Sequence, residues 1–319
     1  MKKVLVTGAG GAVGLQTIRF LLSEGKYEIT ALELKDKQVY KRLKRFRKRI
    51  SIVYGDVTDA ALIDALIKEH DIVIHLAGVL PHLDNVRDDL CKEIDLKGTI
   101  QIVESIRDYH PECYLLYASS TSVYGYQEDY ENVTVKTKGV IDENDNYSLC
   151  KLDAEEYIKK HIKNYSILRL AYITSDPCHE SLIYNVRPNT EMEFLSPQDA
   201  GYAFVKSIEF RKEMNKKIYN VSGGEKYRDN YYNFLLNVFK TYGLSIRFLS
   251  SLMLADKNYN GGYYKDADKL EELLHYRSKN LGVYYRGLMK YKKNPSRLLP
   301  RLFALPFVAI YSRKVKKDK

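Results

Sequence analysis

The chain has 319 residues, 45% hydrophobic and 29% charged, with 18 glycines and 8 prolines; disordered and fibrous classes are excluded, and one or two domains can bury a full core. Its formal net charge of +10 lies largely in two stretches, Lys35–Arg49 and Arg313–Lys319. Cys91, Cys113, Cys150 and Cys178 show no metal-ligand or CxxC spacing, and no apolar run reaches the ~20 residues of a membrane-spanning helix, which together predict a cytoplasmic protein without a metal.

The first predicted strand, Lys3–Thr7, runs into Gly8, Gly11 and Gly14, with Ala12 and Val13 between the last two, and then into a helix over Val13–Ser23. Glycines at this spacing let a tight turn press backbone N–H groups against a pyrophosphate at the positive end of the helix. The second strand, Glu28–Leu32, ends at Glu33, about 20 residues beyond the loop, where a carboxylate accepts the ribose hydroxyls of NAD and repels the 2′-phosphate of NADP. Lys35 and Lys37 follow it and offer such a phosphate a partner, so NAD is favoured and NADP stays open. Over Lys35–Arg49 the spacing of Tyr40, Leu43 and Phe46 predicts a solvated helix with a narrow apolar seam, not a nucleic-acid site. The third strand, Ser51–Tyr54, closes on Asp56 and Val57, at the adenine edge of such a site. A helix over Ala60–Glu69 and a strand over Ile72–Leu76 come next, and small residues in His75-Leu76-Ala77-Gly78 allow close approach of a cofactor.

Helices over Leu96–Asp108 and Ser148–Lys160 and strands over Tyr114–Ala118 and Ser166–Leu170 complete a βαβ series. The fold expected is α/β, a doubly wound, Rossmann-type parallel sheet with a smaller C-terminal α/β substrate lobe. Further on, Ser196–Phe210 reads as a helix capped by Ser196, Lys217–Val221 as a strand, Asn230–Tyr242 as a helix ended by Gly243, and Asp266–Leu274 as a short charged helix. The division expected is a dinucleotide-binding domain over 1–170, with 196–222 returning to it, and a substrate lobe over 171–195 and 223–294. The basic, apolar tail 295–319, broken by Pro300 and Pro306, suits a peripheral membrane contact or an arm packed on the protein or a second copy.

Tyr147 and Lys151 place a phenol and an ammonium one helical turn apart, where the ammonium is expected to lower the phenol's pKa and make it an acid/base. Spacing alone decides nothing. With 28 tyrosines, about three such pairs arise by chance, and Tyr40/Lys44 and Tyr202/Lys206 are the others. Only Tyr147 follows a strand ending in Ser119-Ser120-Thr121-Ser122, where a hydroxyl can bond the reacting oxygen.

In order, TGAGGAVG, GDVTD, HLAG, DLKGT, SSTSVYG, YSLCK and LRL resemble the extended short-chain dehydrogenase/reductase family of NAD-dependent sugar epimerases and dehydratases, over roughly residues 1–170. The resemblance implies Ser120, Tyr147 and Lys151 as catalytic residues, Lys151 also on the nicotinamide ribose, and Asp56 on adenine. It implies Asp95 as support for the active site on the cofactor-binding side, with Tyr147 and Lys151, and a homodimer through the helices near Leu96–Asp108 and Ser148–Lys160. More weakly, LSPQDAGYAF with Asp199 and YNVSGGE resemble later segments of the family. Thr121-Ser122 stand where its 4,6-dehydratases carry Asp-Glu, which disfavours dehydration. Leu170-Ala171-Tyr172 and Ile173-Thr174-Ser175 replace the Asn and Gly-Pro turn usual in its epimerases. Leu80, His82, Thr121, Ser122 and Tyr172 are the candidate substrate contacts, and His179 lies in another loop. The expected function is an epimerase acting on a nucleotide sugar; the alternatives are a carbonyl reductase or dehydrogenase on another small molecule, or a non-catalytic NAD(P)-binding sensor.

Overall fold

β-Branched and aromatic runs bounded by Gly, Asp or Ser become strands, and the amphipathic segments between them become helices. The computed structural model describes residues 1–79, 89–126, 130–174, 189–242 and 261–289. Leu80, His82, His179, Cys178, Gly243 and the tail 295–319 lie outside the described residues. In chain order, β1 (Lys2–Thr7) leads to α1 (Ala12–Glu24), β2 (Tyr27–Glu33) to α2 (Lys37–Leu43), and β3 (Ser51–Tyr54) to α3 (Ala60–Glu69). Then come β4 (Ile72–His75), a π-helical segment (Lys92–Lys97) continuous with α4 (Gly98–Tyr109), β5 (Tyr114–Ser120), α5 (Asn146–His161) and β6 (Tyr165–Leu170).

The sheet runs β3-β2-β1-β4-β5-β6 and then β9 (Lys217–Val221), every neighbour parallel. Strand order reverses beside β1, so the carboxyl ends of β1 and β4 open the crevice where sheets of this kind bind ligands. Alternation along the strands loads both faces. Val4, Val6, Ile72, Ile74, Leu116 and Ala118 pack with Ile18 and Leu21 of α1 and Ala203, Phe204 and Ile208 of α6 (Pro197–Glu209). Leu5, Val73, Leu115 and Tyr117 pack on the other face with α3, α4 and α5 through Ile63, Ile67, Ile102, Ile106, Ala154 and Ile158. Gly201 lets α6 lie directly on α1, since a Cβ there would come within 2.7 Å of Gln16 Cβ and 2.8 Å of Thr17 N. Ser196 caps α6 as expected, accepting from Asp199 N at 2.9 Å.

A second sheet sets β8 (Glu191–Leu195) between β7 (Tyr172–Ile173), parallel to it, and β10 (Arg228–Asn230), antiparallel. Met192 and Phe194 pack with Phe234, Leu235 and Val238 of α8 (Tyr231–Tyr242) and Leu281 and Leu288 of α10 (Leu281–Met289); α7 (Arg211–Met214) and α9 (Asp268–Leu274) are further helices, and Thr121–Tyr124 and Glu225–Tyr227 form 3₁₀ turns. The basic stretch differs from its expected single helix. It leaves the α-helix at Leu43 and continues as a 3₁₀ turn over Lys44–Phe46; Leu43 is buried, Phe46 half-buried and Tyr40 exposed. Among the described residues, no helix is long and apolar enough to cross a membrane, and no His/Cys/Asp/Glu group could hold a metal ion.

Candidate active site

At the crevice, Gly8 takes φ +64°, and a Cβ on it would stand 2.6 Å from Ala77 N and 2.7 Å from Leu76 carbonyl carbon. The turn after β1 therefore presses onto the end of β4. Gly11 caps α1 without a side chain, no acidic residue occupies the first turn, and a Cβ on Gly14 would lie 2.3 Å from Gly8 O. With Ala12 and Val13 opening the helix, its first N–H groups are left to an anion such as a pyrophosphate. Glu33 closes the loop from β2, its Oε2 accepting from Gly10 N at 2.8 Å and its Oε1 from Leu34 N at 3.1 Å. Burial raises its carboxyl above the ordinary range, opposed by those N–H groups and by Arg42. Arg42 also donates to Gly10 O at 3.3 Å, and Val39 crowds Gly10 so that a Cβ there would meet Val39 Cγ1 at 2.7 Å. The basic helix α2 is thus a clasp on the glycine turn, a role its charge pattern did not announce. Asp56 Oδ1 accepts from Thr58 N and Oγ1 at 2.9 and 2.8 Å, and buried Val57 lies against Gly98.

Beyond β4 the ionisable groups converge. Asp145 caps α5, accepting from Ser148 N at 3.1 Å, and so aims Tyr147 and Lys151 from the first turns toward the end of β5. Lys151 is buried, donates to Ala118 O at 3.1 Å and sits 2.8 Å from Asp95 Oδ1; its ammonium lies 5.1 Å from the Tyr117 ring centroid and 5.9 Å from that of Tyr147. Burial opposes its charge, but Asp95, Tyr117 and Tyr147 outweigh burial and hold the ammonium well above its ordinary range. Ser120, half-buried, accepts from Ser122 N at 3.1 Å, and its hydroxyl lies close enough to the Tyr147 phenol to help lower the phenol's pKa. The phenol itself departs from expectation: its pKa is raised. Burial pushes it up, Lys151 and Ser120 pull it down, and Asp95 pushes it up again. The lysine is present as expected, yet a buried carboxylate offsets its charge.

The remaining candidates are less directly engaged. Thr121 is buried beside Tyr264, whose phenol pKa it helps lower against burial, whereas buried Ser122 Oγ has no hydrogen-bond partner among the described residues. Tyr172 is half-buried, edge-on to Phe194 and Phe234 at 5.5 and 6.3 Å between centroids, and packing of the small sheet accounts for that placement.

Two supports escaped the sequence reading. Glu155, one turn beyond Lys151, accepts from Ser119 Oγ at 2.5 Å and takes a bidentate pair from Arg169, at 2.9 and 2.6 Å. This pins the Ser120 strand to the Tyr147 helix, and the i, i+4 spacing from Lys151 was the available signal. His75 bridges Thr7 Oγ1 (2.7 Å) and Thr99 Oγ1 (3.0 Å). Thr99 donates to Asp95 O, so it accepts from Nε2–H; Thr7 accepts from Ala77 N and donates to Nδ1. The proton therefore sits on Nε2, and burial, with the Lys151 charge, lowers the imidazole pKa to about 3.

The model of a family described as "NAD dependent epimerase/dehydratase family" matches residues 4–180, more than half of the chain. CDP-paratose 2-epimerase of Salmonella typhi is 24% identical over 246 residues, 71% of this chain and 70% of that protein. D-erythronate dehydrogenase of Cupriavidus necator is 26% identical over 253 residues, 69% of this chain and 76% of that protein. Among solved structures, UDP-glucuronic acid 4-epimerase of Bacillus cereus, in complex with UDP-glucuronic acid and NAD, superposes with a TM-score of 0.73 over 91% of this chain and 99% of that one. At 17% identity that likeness shows the fold.

Proposed function

The chain belongs to the NAD dependent epimerase/dehydratase family, and from that premise we propose an NAD-dependent, epimerase-type oxidoreductase acting on a secondary alcohol of a nucleotide sugar. The observation that carries it is the convergence of Ser120, Tyr147 and Lys151 at the end of β5, beside a glycine cradle that side chains would fill. The cradle fits a dinucleotide: an uncapped helix end for the pyrophosphate, Glu33 toward the ribose, Asp56 and Val57 toward adenine, and Leu76, Ala77 and Gly78 along β4. When bound, NAD supplies reversible hydride exchange with the carbinol carbon. Tyr147, once its own proton has left to solvent, is the phenolate whose Oη would take the proton of the carbinol hydroxyl and later return it to the same oxygen. Ser120 Oγ holds that oxygen in place, and Lys151 keeps a positive charge opposite the phenol as it ionises.

A homodimer through the outer faces of α4 and α5, a cytoplasmic location and a membrane or self-packing role for the tail belong to the same reading. Vesicle sedimentation with and without 295–319 separates the last two. Leu80, His82 and Ser122 are proposed on the substrate side. One observation favours a second reading, a dehydrogenase on a non-nucleotide substrate: hydroxyls of Thr121 and Ser122 follow Ser120, and a sugar-acid dehydrogenase is among the relatives. The experiment incubates the protein with NAD and a panel of UDP-, CDP- and dTDP-hexoses. Interconversion without net change in NADH absorbance is expected; stoichiometric NADH formation supports the dehydrogenase instead. Tyr147→Phe must lose turnover and keep NAD binding, and unchanged turnover would sink both readings.

A further inference from the structure

Asp95 is fully buried and faces two donors. Val79 N donates to its Oδ2 at 2.9 Å, and Lys151 Nζ lies 2.8 Å from its Oδ1. Gly78 makes the approach feasible, because a Cβ there would stand 2.6 Å from Asp95 Oδ1 and 3.3 Å from Lys151 Nζ. Oδ2 accepts the Val79 hydrogen bond, and Oδ1 meets the ammonium as an ion pair without hydrogen-bond alignment, whereas an amide would bring no charge and would turn its NH₂ toward one of the donors. Its main chain is held as well, through the Thr99 and His75 hydrogen bonds. The charge on Asp95 thus exceeds what positioning a lysine requires and alters the field at the neighbouring phenol.

We propose that Asp95 is a positioning residue that sets the pH at which Tyr147 exchanges its proton, by offsetting the Lys151 ammonium beside it. The inference rests on Tyr147 being the acid/base. The titratable groups around the pair are Asp95 and Cys91 from the segment leading into α4, Tyr117 from β5, His75 from β4, and Tyr147 and Cys150 on α5. His75 stays neutral there, so Asp95 supplies the negative charge in contact with Lys151. With that charge removed and Lys151 kept protonated by Tyr117 and the forming phenolate, the ammonium acts on the phenol undiluted and phenolate forms at lower pH, in the direction of the contributions found at Tyr147.

The test titrates Tyr147 in the NAD-bound protein by NMR of ¹³Cζ-labelled tyrosine, with the resonance assigned by its absence from Tyr147→Phe. Asp95→Asn is expected to shift the Tyr147 titration to lower pH, measured at saturating NAD. A titration that stays in place or moves to higher pH overturns the proposal. If Asp95→Asn does not fold, ¹⁵Nζ NMR of lysine in the wild-type protein decides. A Lys151 ammonium still charged above the ordinary lysine range supports the ion pair, and one that titrates within or below that range overturns it. Failure here is distinct from failure of the enzymatic reading: the latter shows as unchanged turnover in Tyr147→Phe, whatever Asp95→Asn does.

Discussion

Tyr40 and Tyr147 each stand one helical turn before a lysine, and the ammonium lies 5.7 Å from one ring centroid and 5.9 Å from the other. Tyr202 and Lys206 repeat the arrangement at 5.8 Å. Local geometry is therefore the same at all three. Tyr40 is 47% exposed and Lys44 lies in water, whereas Lys151 is 5% exposed, touches a carboxylate and donates to the end of β5. A helix delivers the pair; surroundings distant in sequence give one of them its chemistry.

Substitutions can break that comparison. The largest effect belongs to Tyr147→Phe, expected to lower turnover by about 10²–10⁴-fold, while Tyr40→Phe leaves it unchanged. Steady-state kinetics of the two variants side by side is the check, and equal losses would erase the distinction. Next comes Lys151→Met, which strands Asp95 in the interior and should cost about 3–5 kcal/mol of stability. Lys44→Met should cost less than about 0.5 kcal/mol; urea unfolding at neutral pH compares them.

A third effect follows from the same burial. His75 titrates near 3 when folded against 6.5 as a free side chain, so the unfolded chain binds the extra proton. Stability is full above pH 6.5 and falls toward pH 3, by up to about 1.4 kcal/mol per pH unit. His70, also lowered by burial first, adds to the same slope. Unfolding free energies that stay flat from pH 6.5 to 5 would contradict it. The smallest effect is the Tyr40–Lys44 coupling itself, which a double-mutant cycle should place at about 0.5–1 kcal/mol or less.

The large sheet was legible because each of its segments carries its own periodicity and its own Gly, Asp or Ser boundary; Ala60–Glu69 and Ser51–Tyr54 have the observed ends. The small sheet was not. β7 has two residues, β10 reads Arg228-Asp229-Asn230, and β8 alternates glutamates with apolar residues only from Glu191 to Phe194, so none announces a strand without its distant partner. Ser120, Tyr147 and Lys151 were legible from the order of motifs along the chain. The raised proton affinity of Tyr147 was not, because it depends first on the burial of the phenol in the folded chain and then on a carboxylate 52 residues away, neither of which a local pattern encodes. The clasp of Arg42 and Val39 on Gly10 was hidden for the same reason.

The π-helical segment Lys92–Lys97, where Gly98 N donates to Glu93 O, has a consequence for how this region tolerates change. A π turn accommodates one residue more than an α turn, and each helical residue advances the side-chain direction by about 100°. Asp95 and the apolar stripe of Ile102, Val103 and Ile106 thus belong to one helix read in two phases. Deleting a single residue within the segment would bring the phases into line and swing the carboxylate away from Lys151, although no chemical group at the site had been altered. Point substitutions at its exposed positions would leave the alignment intact. The active site is therefore guarded here by the count of residues more than by their identity.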